Sequence, residues 1–308
     1  MNETKQTPSF REFNHDGAMI IRESLRTSMA DGVYLASLRY WNEAKSHNPL
    51  PQLLCLADEL GRAKDHHRLA IALLSQKKRP AFAHALSLRG RGASDAKGVA
   101  DTSAINDADD LISYCDARNL HHIDIVVSGR SIYTLLLALV KRPGLPRRVV
   151  LNDAAPEFDA VAIARETALN QRSKAPASWE DAVRLLRDRK GEAFPAFSDE
   201  DWEHAASIRW HDIDGKPAPT NDKRLVRFSN AVDYDAPQPR LWTEFKLLRR
   251  TPALLVRGEN STLVTPEIVD QMKAAHAGLR VETATGQGHV PALQIDDLPQ
   301  RISDFLAS

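Results

Sequence analysis

Two short runs that do not alternate polar with apolar residues, 51–56 (PQLLCL) and 122–127 (HIDIVV), constrain this chain most. A strand of that kind must be covered on both faces, which is the condition of a central strand in a parallel sheet. Each run precedes a segment of helical period. Residues 64–76 carry Leu69, Leu73 and Leu74 on one face, and 132–140 (IYTLLLALV) is almost wholly apolar. Further strands are predicted at 19–28 and 33–41, joined through Ala30-Asp31-Gly32, and at 80–86, 147–151, 253–256 and 279–283. Helices are predicted at 104–118, 266–275 and 291–306. This alternation predicts an α/β fold: a doubly wound, mostly parallel sheet of about eight strands with helices on both faces.

Residues 156–237 break the rhythm with polar, tryptophan-bearing helical phrases (SWEDAVRLLRDR, SDEDWEHAASIRW) and a loop-rich stretch around DIDGKPAPTND. The organisation expected is a core of 1–155 and 238–308 with a helical cap at 156–237. An insertion between two strands of one sheet sits above the carboxyl edge, where open α/β sheets bind ligands.

Composition removes several classes of function. Lys+Arg and Asp+Glu both number 41, so no global field recruits nucleic acid or an anionic membrane. No apolar run approaches the roughly 20 residues of a spanning helix. The N-terminal residues lack the basic-then-apolar order of a signal peptide, and Cys55 and Cys115 are too few for a disulfide framework. A cytoplasmic protein is expected, with oligomeric state left open. His66-His67 and His121-His122 read as solvated pairs, not metal ligands, and no cofactor motif is present: LRGRGASD lacks the lysine of a phosphate loop.

Three segments carry chemistry. Gly129-Arg130-Ser131-Ile132-Tyr133 lies between a buried strand and an apolar helix. Gly286-Gln287-Gly288-His289 follows the last strand, and Arg257-Gly258-Glu259-Asn260-Ser261-Thr262-Leu263 follows the strand before it. Together with LNDAAPEF they make the chain resemble capped bacterial α/β-hydrolases of the esterase type, from Gly32 to the last helix. The resemblance implies Ser131 as nucleophile on a strained elbow, His289 as base, and an oxyanion hole from the Ile132 N–H and a loop N–H near Glu59.

Several positions depart from that pattern. Thr262 stands where the acid is expected and supplies no charge, a loss that costs on the order of 10⁴ in turnover in a well-studied triad. Ala57-Asp58 stand where the oxyanion loop usually reads His-Gly or Pro-Gly, and Glu59 follows, so an acidic pair replaces the turn glycine. Tyr133 replaces the last small residue of the elbow, and Ser87 stands where an aspartate is common. Asp153 can replace the acid, since the order Ser131, Asp153, His289 is that of the fold; Glu259, early in the Arg257–Leu263 loop, is a second candidate. The sequence therefore leaves two functions open. One is a serine hydrolase of a small ester, lactone or amide through Ser131, His289 and Asp153, weak or impaired. The other is a catalytically inactive homologue whose capped pocket holds a small molecule or a partner protein. Cofactor-free lyase chemistry on the His289 base is a third, less specified option.

Overall fold

The computed structural model describes residues 10–13, 19–47, 51–78, 80–98, 102–171, 175–220 and 238–308. Its strands are β1 (Phe10–Phe13), β2 (Met19–Ser28), β3 (Tyr34–Asn42), β4 (Leu53–Leu56), β5 (Phe82–Leu86), β6 (Ile123–Ser128), β7 (Pro146–Asn152), β8 (Trp210–Ile213), β9 (Lys216–Pro219), β10 (Ala253–Gly258) and β11 (Arg280–Ala284). Nine of them form one sheet in the order β1-β2-β3-β5-β4-β6-β7-β10-β11. β1, β2, β3 and β5 pair antiparallel in turn, and every pair from β5 to β11 is parallel. The eight expected strands are all present. β1 is an added edge strand beyond the eight expected.

The helices of the core are α1 (His67–Ser75), α2 (Ala104–Ala117) and α3 (Ile132–Lys141), followed late in the chain by a short α7 (Trp242–Phe245), α8 (Pro266–Ala275) and α9 (Leu298–Ala307). Strand side chains divide strictly between two apolar layers. Leu54, Leu56, Ile125, Val127 and Leu255 join one with α2, α3 and α8. Leu53, Cys55, Val126, Leu254 and Val256 join the other with α1 and α9. This period-two division of continuous apolar runs is the physical content of a sheet buried on both faces.

Helix starts follow local chemistry. Ser103 Oγ accepts from the Asn106 N–H to cap α2, and Thr265 caps α8 with Pro266 in its first turn. The closing helix begins at Leu298 instead of residue 291. Asp296 adopts φ +55, outside the helical region, and Pro299 then opens the helix.

Between β7 and α7 lie α4 (Ala160–Gln171), α5 (Trp179–Lys190) and α6 (Asp199–Arg209). The stretch expected to be loop-rich contains the β8–β9 hairpin, turned by Asp214 and Gly215, both at positive φ. Ala182, Ala206 and Trp210 form a small core of their own beside Trp179. Residues 172–174 and 221–237 of the expected cap lie outside the described residues. Among the described residues no helix is long and apolar enough to cross a membrane.

Polar groups inside the core also fix the response to acid. His84 on β5 is buried, bonded to Tyr114 through Nδ1 and to Gln52 through Nε2, each at 3.0 Å. Burial first, and then the Arg39 and Arg118 guanidiniums, push its imidazole down to about 3. The unfolded chain takes up a proton at this residue below about pH 6.5 whereas the folded chain does not, so stability is lost as pH falls from there towards 3. In urea titrations the stability margin of wild type over His84→Gln is expected to narrow from about pH 7 to about pH 4. A margin that stays constant would mean that the folded ring titrates normally. His66 follows the same logic. It is buried and lowered to about 4, which corrects the expectation of a solvated pair at 66–67.

Candidate active site

The loops at the carboxyl ends of β4, β6, β7, β10 and β11 converge on one site. Asp153 follows β7 and is 0% exposed. Its φ of +46 turns the chain sharply out of the strand, a left-handed conformation that aspartate tolerates better than most residues. Three donors surround its carboxylate. His289 Nδ1 lies 2.7 Å from Oδ2, Ser261 Oγ donates to the same oxygen at 2.5 Å, and the Gly258 N–H donates to Oδ1 at 3.3 Å. An ionised carboxylate at Nδ1 requires a proton there, which places the neutral ring's lone pair on Nε2, the tautomer of a general base. The structure thus brings together Asp153 and His289. Thr262 is exposed, and its neighbour Ser261 turns inward onto Asp153 instead.

Close approach of two loops sets this geometry. A Cβ added at Gly258 would lie 2.4 Å from the Gly288 carbonyl oxygen, so only glycine lets the β10 end touch the loop that carries His289. Asn152 braces the same place, donating from Nδ2 to Ser128 Oγ and to the Pro291 carbonyl. The inserted segment seats on this loop. The Ala196 N–H donates to the Gly286 carbonyl, and Lys190 Nζ donates to that of His289. The Phe158 ring stands edge-on to His289 at 6.1 Å.

The elbow is displaced by two residues from its expected position. Ser128 is extended, Gly129 has φ +49, and Ser131 is already helical at φ −64, ψ −8. The sharp strand-to-helix reversal, where an elbow holds its nucleophile, therefore falls on Gly129. Ser131 sits two residues into the following turn and is buried. Residues two apart in a tight helical turn point in different directions, so Ser131 does not point where a side chain at the reversal would. Tyr133 lies beyond the elbow altogether. Its hydroxyl donates to the Pro239 carbonyl at 3.3 Å, its ring packs edge-on against Phe158, and burial raises its phenol above the ordinary value.

The space an elbow side chain would fill belongs to Asp58. A Cβ built on Gly129 would lie 2.3 Å from Asp58 Oδ1 and 2.6 Å from its Cγ. The Arg130 N–H, which follows the reversal and is aimed into the site, donates to Asp58 Oδ1 at 2.8 Å. The expected oxyanion donor, the Ile132 N–H, is instead spent on the Gly129 and Arg130 carbonyls of the turn. Glu59 pairs with the Arg130 guanidinium, and its carbonyl accepts from Arg91 Nε at 2.9 Å. Arg91 is itself anchored on buried Asp107. The Asp58–Glu59 loop is thereby fixed from both sides. Ser87 contributes by accepting the Ala63 N–H at 2.8 Å.

A sheet of this order, with an elbow between its central strand and an apolar helix and an Asp–His pair beyond the later strands, defines the α/β-hydrolase fold. The chain has that fold, and solved structures agree. An α/β hydrolase from Novosphingobium aromaticivorans superposes with a TM-score of 0.79 at 23% identity, covering 92% of this chain and 98% of that one. E-2-(acetamidomethylene)succinate hydrolase gives 0.73 at 20% identity, covering 92% and 99%. The enol-lactonase from Burkholderia xenovorans gives 0.67 at 16% identity, covering 92% and 100%. No family model and no curated protein sequence matches the chain.

Proposed function

We propose that this protein is a small-molecule hydrolase of the α/β-hydrolase fold whose chemistry runs through the His289–Asp153 pair without an acyl-serine intermediate. The observation that carries this reading is the 2.7 Å bond from buried Asp153 to His289 Nδ1, in a site whose elbow residue is Gly129. The carboxylate holds the ring in the tautomer a base needs and stabilises the imidazolium that forms when Nε2 takes a proton. The site carries no hydroxyl nucleophile at the reversal, and its Arg130 N–H is already bonded to a carboxylate. Both features oppose attack on an acyl carbon, whose developing oxyanion needs that donor. Hydrolase neighbours of the same fold support the coarse class.

A fluorophosphonate probe tests the absence of serine chemistry. Wild type and Ser131→Ala are both expected to remain unlabelled under conditions that label an ordinary serine esterase fully. Labelling of wild type that disappears in Ser131→Ala would restore Ser131 as the nucleophile. The second reading, a non-catalytic pocket that binds a small molecule or a partner, is favoured by the same Asp58–Arg130 contact. It gains support if no ester, lactone or alkyl substrate shows turnover that His289→Gln abolishes.

A further inference from the structure

A cavity lies at the edge of the sheet opposite the His289–Asp153 pair, at the amino ends of β4 and β5. Its volume is about 320 Å³, within the range of roughly 300–1,000 Å³ that small-molecule pockets span. Leu25 and Phe82 form its apolar side, and Arg39, Gln52, His84 and Arg118 its polar side. Strand register explains the grouping. Arg39 on β3 stands opposite His84 on β5, and His84 pairs with Leu54, whose apolar layer packs on α2. Arg118, the residue that ends α2, closes the cavity from above that layer. We propose that this cavity binds a small organic carboxylate and is a ligand site separate from the His289–Asp153 pair.

Charge selects the ligand. Two guanidiniums line the cavity and no carboxylate does. Arg39 is paired with Glu23 at 3.1 Å. Arg118 instead bonds neutral acceptors: Nε and Nη2 donate to Thr27 Oγ1 at 2.9 and 2.7 Å, and Nη2 to the Arg26 carbonyl at 3.2 Å. Among the described residues no carboxylate pairs with Arg118, and Nη1 is the nitrogen those bonds do not use. His84 adds no charge, because burial first, and then these two guanidiniums, hold its ring neutral. Its Nε2 lies 3.0 Å from Gln52 Oε1, which leaves the amide nitrogen of Gln52 as the end that can donate to a ligand. With Glu23 set against one guanidinium, the balance is a single positive charge. That matches a carboxylate, a planar monoanion, better than a phosphate carrying nearly two charges. The carboxyl end of α2 opposes an anion through its dipole, but its carbonyls are covered. Tyr114, Cys115 and Asp116 accept from the Arg118, Leu120 and Asn119 N–H groups, in a turn that Asn119 makes at φ +54. The apolar side is small, so the body of the acid is one ring or a short chain, not a nucleotide or a polymer.

Benzoate and inorganic phosphate are the probes, titrated into the full chain near neutral pH and followed by NMR. Saturable benzoate binding is expected, tighter than that of phosphate. Gln52→Glu keeps an acceptor for His84 but replaces the donor amide with a negative charge, and should weaken benzoate by at least about tenfold. Arg118→Gln should weaken it by a similar factor, with circular dichroism reporting whether loss of the Thr27 bonds has harmed the fold. If that variant does not fold, Gln52→Glu decides alone. His289→Gln should bind benzoate as wild type does. Binding that does not saturate by about 10 mM overturns the proposal. So does a folded Gln52→Glu protein that binds benzoate as tightly as wild type. Phosphate binding as tight as benzoate would overturn the carboxylate assignment. Loss of binding in His289→Gln would place the probe at the His289–Asp153 pair and remove the separate site, leaving the reading of that pair intact.

Discussion

The double variant Asp58→Gly/Gly129→Ser is expected to gain fluorophosphonate reactivity that neither single variant shows. Gly129→Ser alone places a Cβ 2.3 Å from Asp58 Oδ1, so the new hydroxyl must compete with a carboxylate for the same space. Asp58→Gly alone takes the carboxylate off the Arg130 N–H but provides nothing to attack. Together they set a hydroxyl at the reversal, beside a backbone N–H no longer covered by the Asp58 carboxylate and near the His289–Asp153 pair. A single oxyanion donor is worth on the order of 10²–10³ in rate, so labelling of the double variant should exceed that of Gly129→Ser by about that factor. Adding Ser131→Ala to the double variant should leave labelling intact. A folded but unreactive double variant would mean that Gly129 is not the reactive position of this elbow.

The second large effect is expected from Arg89→Met. Arg89 donates to both oxygens of Asp110 at 2.6 Å and from a third nitrogen to Asp31 at 2.8 Å. The Arg89 and Asp110 side chains are only 8% and 5% exposed. Removing the guanidinium leaves the Asp110 carboxylate buried without its counter-ion, a change that costs ~3–5 kcal/mol. In a domain of this size that lowers Tm by on the order of 10 °C, measurable by calorimetry. Arg89→Met/Asp110→Leu should recover much of the loss, because it removes the orphaned charge as well. Arg26→Ala, which breaks a half-exposed pair with Asp95, should shift Tm far less. Equal shifts from Arg26 and Arg89 would show that the buried cluster contributes no more than a surface pair.

Much of the fold was legible because its signals are local. The continuous runs PQLLCL and HIDIVV demanded two-sided burial, and they became β4 and β6 between the two apolar layers. The edge strand β1 was not legible, since four residues of FREF carry too little pattern to distinguish a strand from a loop. The β8–β9 hairpin was hidden for a different reason. Its strands contain Pro217 and Pro219, which argue against strand in a sequence reading but are tolerated in a two-stranded ribbon with open edges.

At the site, the sequence supplied Asp153, His289 and Asp58 as candidates, because chain order and the character of each loop are one-dimensional properties. The register of the elbow was not legible because GRSIY centres a serine in the way a nucleophile motif does, whereas VSGRS centres a glycine, and only backbone dihedrals distinguish the two registers. Gly129 at φ +49 decides between them. The tie of Ser261 to Asp153 spans 108 positions, and that of Asp58 to the Arg130 N–H spans 72. Composition and periodicity therefore determined that this chain builds a doubly wound sheet with its reactive loops at one edge. Which side chain enters the space above the elbow was decided by tertiary structure alone. That choice depends on ångström-scale approach between loops, where a missing Cβ at one position admits a carboxylate from another.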